Sequence, residues 1–169
     1  MSKIAFNLIS LSKSPEKLIS KINWLLLGTA IIFNSLISST QAQSNNISVN
    51  SGIAKAPLVL KGNSGGAIIA KEISQIENTA TGYCDGYVRS QPNHVLKLES
   101  FFESLRLEVE SSADTTILVK GPGGIWCNDD AGSANPMIEG QWQPGVYQIW
   151  IGSYQANSNN RYRIKITGK

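Results

Sequence analysis

The sequence predicts an all-β protein, an antiparallel sandwich of about eight or nine short strands, on three observations. Short runs rich in β-branched and aromatic residues recur from position 54 onward, separated by clusters of Gly, Pro, Asn and Ser. Residues 105–110 alternate apolar with charged side chains, which puts Leu105, Leu107 and Val109 on one face of a strand. No stretch after the first 42 residues carries the apolar stripe of an amphipathic helix, and an all-strand pattern implies two packed sheets.

The elements follow in order. Residues 1–42 hold Lys3, Lys13, Lys17 and Lys21 against Glu16, then an apolar run over 24–37, then a polar stretch ending at Ala42. A basic flank, an apolar core and small residues at Thr40 and Ala42 predict a signal peptide cleaved after Ala42. The run is interrupted by Asn34 and is shorter than the roughly 20 residues needed to cross a bilayer. An uncleaved anchor on a membrane-held structural envelope protein is the alternative, and stable membrane insertion is not expected once the leader is removed. The leader carries the whole net charge of +3, because 11 basic and 11 acidic residues remain after it. That balance argues against nucleic acid as a partner.

Residues 43–53 are Asn- and Ser-rich without a period and predict a flexible lead-in to a domain over 54–169. Residues 54–60 predict the first strand. The Gly-Asn-Ser-Gly-Gly at 62–66 imitates the surroundings of a serine-protease nucleophile, but His94 follows Ser64 and the chain is too short for two barrels. A glycine turn is the expectation, with a small hydrolase built on Ser64, His94 and an aspartate as the alternative. Residues 67–76 fit a strand or a short helix. Residues 83–88, 94–99, 137–142, 146–152 and 161–166 each predict a strand. In the last two, Tyr147, Ile149 and Ile151, then Tyr162, Ile164 and Ile166, share an inward face.

The centre of the chain is residues 114–130. The β-branched run 115–120 and the run beginning at Ile125 flank Gly-Pro-Gly-Gly at 121–124, which predicts a hairpin turning at Pro122 and Gly123. That register pairs Lys120 with Ile125 and Leu118 with Cys127, and lands Asp114 opposite 129–131. A longer loop with a slipped register is the alternative, since tight hairpins prefer mirror-image turns.

The Asp-Thr strand at 114–115, the glycine hairpin, Cys127-Asn-Asp-Asp and the Pro-Gly-Val-Tyr strand from Pro144 together resemble the bacterial pre-peptidase C-terminal domain group. The similarity covers about residues 54–169. It implies a secreted or periplasmic, non-catalytic sandwich of jelly-roll type, a kind of module often appended to exported enzymes. No enzyme domain is expected beside residues 54–169, and that and the two cysteines depart from the group's pattern.

Four expectations about sites follow. Asp114, Asn128, Asp129 and Asp130 gather oxygen ligands at the open end of the hairpin, the donor chemistry calcium requires. Turn capping by the same side chains is the competing role. Cys84 and Cys127 are expected to form a disulfide in an oxidising compartment, because one histidine and two cysteines make a poor zinc set. Trp142 and Tyr154 are the candidate exposed aromatics for a protein or glycan partner, while Trp150 reads as core. His94 reads as an ordinary surface or internally satisfied residue.

Overall fold

Pro122 presets one turn dihedral and Gly123 takes the positive φ of 91° that a following glycine tolerates, so the hairpin closes in two residues. Its register is the expected one: Ile125 pairs with Lys120 and Cys127 with Leu118. The structure, a computed structural model, describes residues 45–50 and 56–169. The expected signal peptide over 1–42 lies outside the described residues.

Strands β1 (Asn45–Val49), β2 (Leu58–Asn63) and β3 (Ile68–Ile69) lead into a one-turn helix, α1 (Ala70–Ser74). Four short strands follow: β4 (Asn78–Thr79), β5 (Gly82–Tyr83), β6 (Tyr87–Val88) and β7 (His94–Leu98). The long strands are β8 (Phe102–Ser111), β9 (Thr115–Gly121), β10 (Gly124–Asn128), β11 (Met137–Trp142), β12 (Gly145–Ser153) and β13 (Arg161–Gly168). One sheet runs β10-β9-β12-β7-β1, with β6 and β3 continuing beside the end of β12. The second runs β11-β8-β13-β2, and β4 pairs with β5 apart from both. Apart from the parallel pair β1 and β7, the pairings are antiparallel.

The main core lies between the two sheets. Leu105, Leu107 and Val109 meet Ile117, Val119, Tyr147, Ile149, Ile151, Tyr162, Ile164 and Ile166, the inward faces that the alternation predicts. A second apolar cluster covers the outer face of the first sheet. There Leu118 and Trp150, paired across β9 and β12, pack under Ala70, Val88, Cys84 and Cys127. Strand β9 is therefore buried on both faces, and Thr115 through Val119 are all inaccessible.

Three local expectations change. The lead-in expected over 43–53 contains β1, because Ile47 and Val49 reach the core beside β7; two apolar residues among Asn and Ser gave too short a period to read. The strand expected over 83–88 is interrupted, and only Gly82–Tyr83 and Tyr87–Val88 pair. Residues 67–76, which fit a strand or a helix, form both in succession.

Cys84 and Cys127 form the expected disulfide, with their Cα atoms 5.0 Å apart and both side chains buried. It ties the segment that covers the outer face to the far arm of the hairpin. Closing 43 residues should stabilise the fold by about 4 kcal/mol on the chain-entropy account. The native protein should therefore titrate no thiol before reduction, and denaturant unfolding with and without reductant should differ by about that amount. Two reactive thiols in the non-reduced protein would remove the staple from this account.

Candidate functional site

The acidic end of the hairpin is assembled by two separate parts of the fold. Asp114 enters β9, and Asp129 and Asp130 leave β10, so the pairing of these strands sets the three side by side. Each offers a carboxylate oxygen, and these oxygens lie within 4.8 Å of one another. The disulfide then carries Asp85, next to Cys84, close enough to raise the pKa of Asp129. Asp85 was not among the residues the sequence singled out. The linkage of Cys84 to Cys127 held the clue, since residues flanking joined cysteines are neighbours in space.

Asp129 is the electrostatic focus. Its Oδ1 is buried and has no hydrogen-bond partner, whereas Asp114 and Asp130 are exposed. Desolvation, followed by the negative charges of Asp130, Asp114 and Asp85, pushes its pKa up to about 6. The following loop is pinned in place around it. Thr115 Oγ1 bonds Asn135 Oδ1 at 2.9 Å, Asn135 Nδ2 donates to the Ser111 carbonyl at 3.0 Å, and the Thr115 amide donates to the Ala134 carbonyl at 3.1 Å.

Asn128 departs from its expected place in the ligand set. Its Nδ2 donates to the Thr81 carbonyl at 2.8 Å and its Oδ1 accepts the Met137 amide at 3.0 Å. The side chain thus joins β10 to the covering segment and to β11. Turn chemistry, the competing role for these residues, describes Asn128, while Asp114, Asp129 and Asp130 remain the carboxylate cluster.

The two candidate binding aromatics separate. Tyr154 is 61% exposed, and its amide donates to the Asp114 carbonyl at 3.4 Å. Its ring borders one hollow with Asp114 and a second, of about 430 Å³, with Asp85, Glu77 and Lys71. Trp142, expected to be exposed, is 3% exposed. It stacks on Trp126 with ring centroids 5.5 Å apart and meets Tyr147 at 4.8 Å. A Cβ on Gly121 would overlap the Tyr147 ring, so that glycine lets the aromatic stack close over the turn. Adjacency to a turn said nothing about which way the Trp142 indole points, and strand β11 turns it inward.

The alternative hydrolase site does not assemble. Ser64 is fully buried; its Oγ lies 2.7 Å from Ser153 Oγ and donates to the Asn160 carbonyl at 3.2 Å. His94 is buried as well, with Nε2 2.8 Å from Tyr162 Oη, and burial lowers its pKa to about 4. Among the described residues no hydrogen bond joins Ser64 to His94. Among them, also, no helix is long and apolar enough to cross a membrane.

No family model matches the chain. An uncharacterized protein of Synechococcus elongatus is 30% identical over 88 residues, which make up 50% of this chain and 65% of that relative. The crystal structure of the pre-peptidase C-terminal domain of a Bacillus anthracis collagenase is similar at 10% identity, covering 73% of this chain and 96% of that one, with a TM-score of 0.44. It belongs to the group that the motifs at 114–150 resemble. A periplasmic inhibitor of g-type lysozyme from Aeromonas hydrophila, PliG, is similar at 15% identity, covering 75% of this chain and 99% of that one, with a TM-score of 0.42.

Asp129 and His94 give opposite pH dependences. Asp129 holds its proton to about pH 6 when folded, against 3.8 ordinarily. Its contribution to stability is thus complete below 3.8 and is lost as the pH rises through 6. His94 is lowered from 6.5 to about 4, so its contribution is complete above 6.5 and is lost as the pH falls through 4. Asp129→Asn should raise stability at pH 7 by roughly 1 kcal/mol after solvent screening, with the gain vanishing toward pH 4. Urea unfolding of parent and variant from pH 4 to 8 measures this, and a pH-independent difference would refute the electrostatic assignment.

Proposed function

We propose that the chain is an extracytoplasmic, non-catalytic β-sandwich module whose acidic end holds calcium and presents Tyr154 to a protein or glycan partner. The observation that carries the reading is the buried, unpartnered Oδ1 of Asp129 beside two further carboxylates. A cation relieves the repulsion that otherwise leaves Asp129 half-protonated near pH 6. The spacing suits it: calcium takes oxygens at about 2.3–2.6 Å, so oxygens sharing one ion can be nearly 5 Å apart. Asp114, Asp129 and Asp130 would hold it, Asp85 would add negative potential, and the ion would supply a fixed charge where Tyr154 meets the partner.

Absence of catalysis is supported by the environment of the obvious nucleophile. A reactive serine needs access to substrate and a base to take its proton, whereas Ser64 donates to a carbonyl inside the fold. An oxidising compartment is supported by the disulfide between Cys84 and Cys127.

Calcium bound only by the folded state adds about 2.7 kcal/mol of stability at a hundredfold excess over its dissociation constant. The thermal midpoint of the parent should therefore rise in millimolar calcium relative to chelator, and Asp129→Asn should abolish the rise. Equal midpoints for the parent in both buffers would reject the metal site. Labelling of Ser64 by a serine-directed fluorophosphonate would reject the non-catalytic reading.

A further inference from the structure

A second charged feature lies on the outer face of the other sheet. Strand β13 turns Tyr162, Ile164 and Ile166 into the core, which leaves Arg161, Arg163 and Lys165 exposed. In the pairing with β2, Arg163 stands directly opposite Lys61, and Arg161 opposite Asn63. Like charges directly opposite destabilise a strand pair, so Lys61 and Arg163 oppose the pairing they belong to. Glu110 on β8 pairs with Arg163 at 3.0 Å, while among the described residues Lys61 and Arg161 form no ion pair. Arg89, just after β6, lines the same place and donates a hydrogen bond to Asn159 Oδ1 at 3.5 Å.

Lys61, Arg89, Arg161, Arg163 and the carboxylate of Glu110 line an open groove of about 860 Å³ together with Asn63 and Ser112. Its side chains sum to +3, in a body whose residues 56–169 carry 10 basic and 11 acidic residues. The positive charge is therefore gathered here, on a lining that includes none of Asp114, Asp129 and Asp130. An anion bound in the groove relieves the repulsion between Lys61 and Arg163.

We infer that this groove binds an anionic glycan, through the carboxylates or sulfates of an acidic oligosaccharide. Guanidinium forks suit such oxyanions in bidentate contact, and the amide of Asn63 and hydroxyl of Ser112 suit sugar hydroxyls. The volume fits a chain of sugars better than a single ion. Nucleic acid is the weaker match, because the one aromatic lining the groove, Tyr162, is 3% exposed and offers no face for bases to stack on. The lining shares no residue with the acidic cluster, and the inference stands or falls without it.

Titration calorimetry of the full chain tests the inference, with a galacturonate hexamer, a heparin-derived hexasaccharide, maltohexaose and a single-stranded oligonucleotide. Saturable binding of either anionic sugar, weakened by added salt, is expected, and the one that saturates identifies the oxyanion. The double variant Lys61→Gln, Arg161→Gln, both on exposed positions, should bind it at least about tenfold more weakly with a thermal midpoint no lower than the parent's, since the repulsion between Lys61 and Arg163 is removed. Asp129→Asn should bind it as the parent does, which keeps this result separate from any failure of the calcium site. Failure of both anionic sugars to bind, equal binding of maltohexaose, tighter binding of the oligonucleotide, or full binding by the double variant would each overturn the inference.

Discussion

The constraint on which the rest of the structure depends is that β9 must be covered on both faces. Ile117 and Val119 face the second sheet, but Leu118 between them, with Trp150 beside it on β12, faces away from it. Fully burying a leucine side chain is worth roughly 2 kcal/mol and an exposed indole forfeits more, so the outer face needs its own cover. Helix α1 and the segment through Val88 provide it, and the disulfide holds them there. Lys120 Nζ adds a hydrogen bond to the Ile73 carbonyl at 3.1 Å, joining the far end of the strand to the helix.

The hairpin register brings Asp114, Asp129 and Asp130 together, and the cover adds Asp85 to them through the disulfide. Burial, followed by the charges of Asp130, Asp114 and Asp85, moves the titration of Asp129 up to about pH 6. At the opposite end, the turn at 121–124 is closed by Trp126, Trp142 and Tyr147, whose hydroxyl donates to the Gln143 carbonyl at 2.9 Å. One hairpin thus has an apolar, packed end and a charged one.

Net charge conceals this arrangement. Residues 43–169 are balanced in sign, which reads as a protein indifferent to charged partners. Folding sorts the same residues: carboxylates collect where β9, β10 and the covering segment meet, and cations collect where β2, β8 and β13 lie side by side. The sorting depends on pairings such as Lys61 with Arg163, separated by about a hundred residues.

The sequence by itself determined what is local or periodic. Alternation assigned the inward faces of β8, β12 and β13, because side chains on a strand take opposite sides in strict turn. Pro122 and Gly123 determined the hairpin, and with it the meeting of Asp114, Asp129 and Asp130, which a register slipped by a residue or two would also bring together; the two-residue register itself was one of two that the sequence left open. The two cysteines, with a single histidine too few for a zinc site, pointed to the staple. Only the tertiary structure decided the rest: that Asn45–Val49 joins a sheet, that Trp142 is core, that the Asn128 amide is engaged by the backbone of Thr81 and Met137, and that Asp85 and the basic groove exist at all. Each of these depends on which distant strand lies alongside. That choice is made by the total burial of the two cores, which no window of neighbouring residues contains.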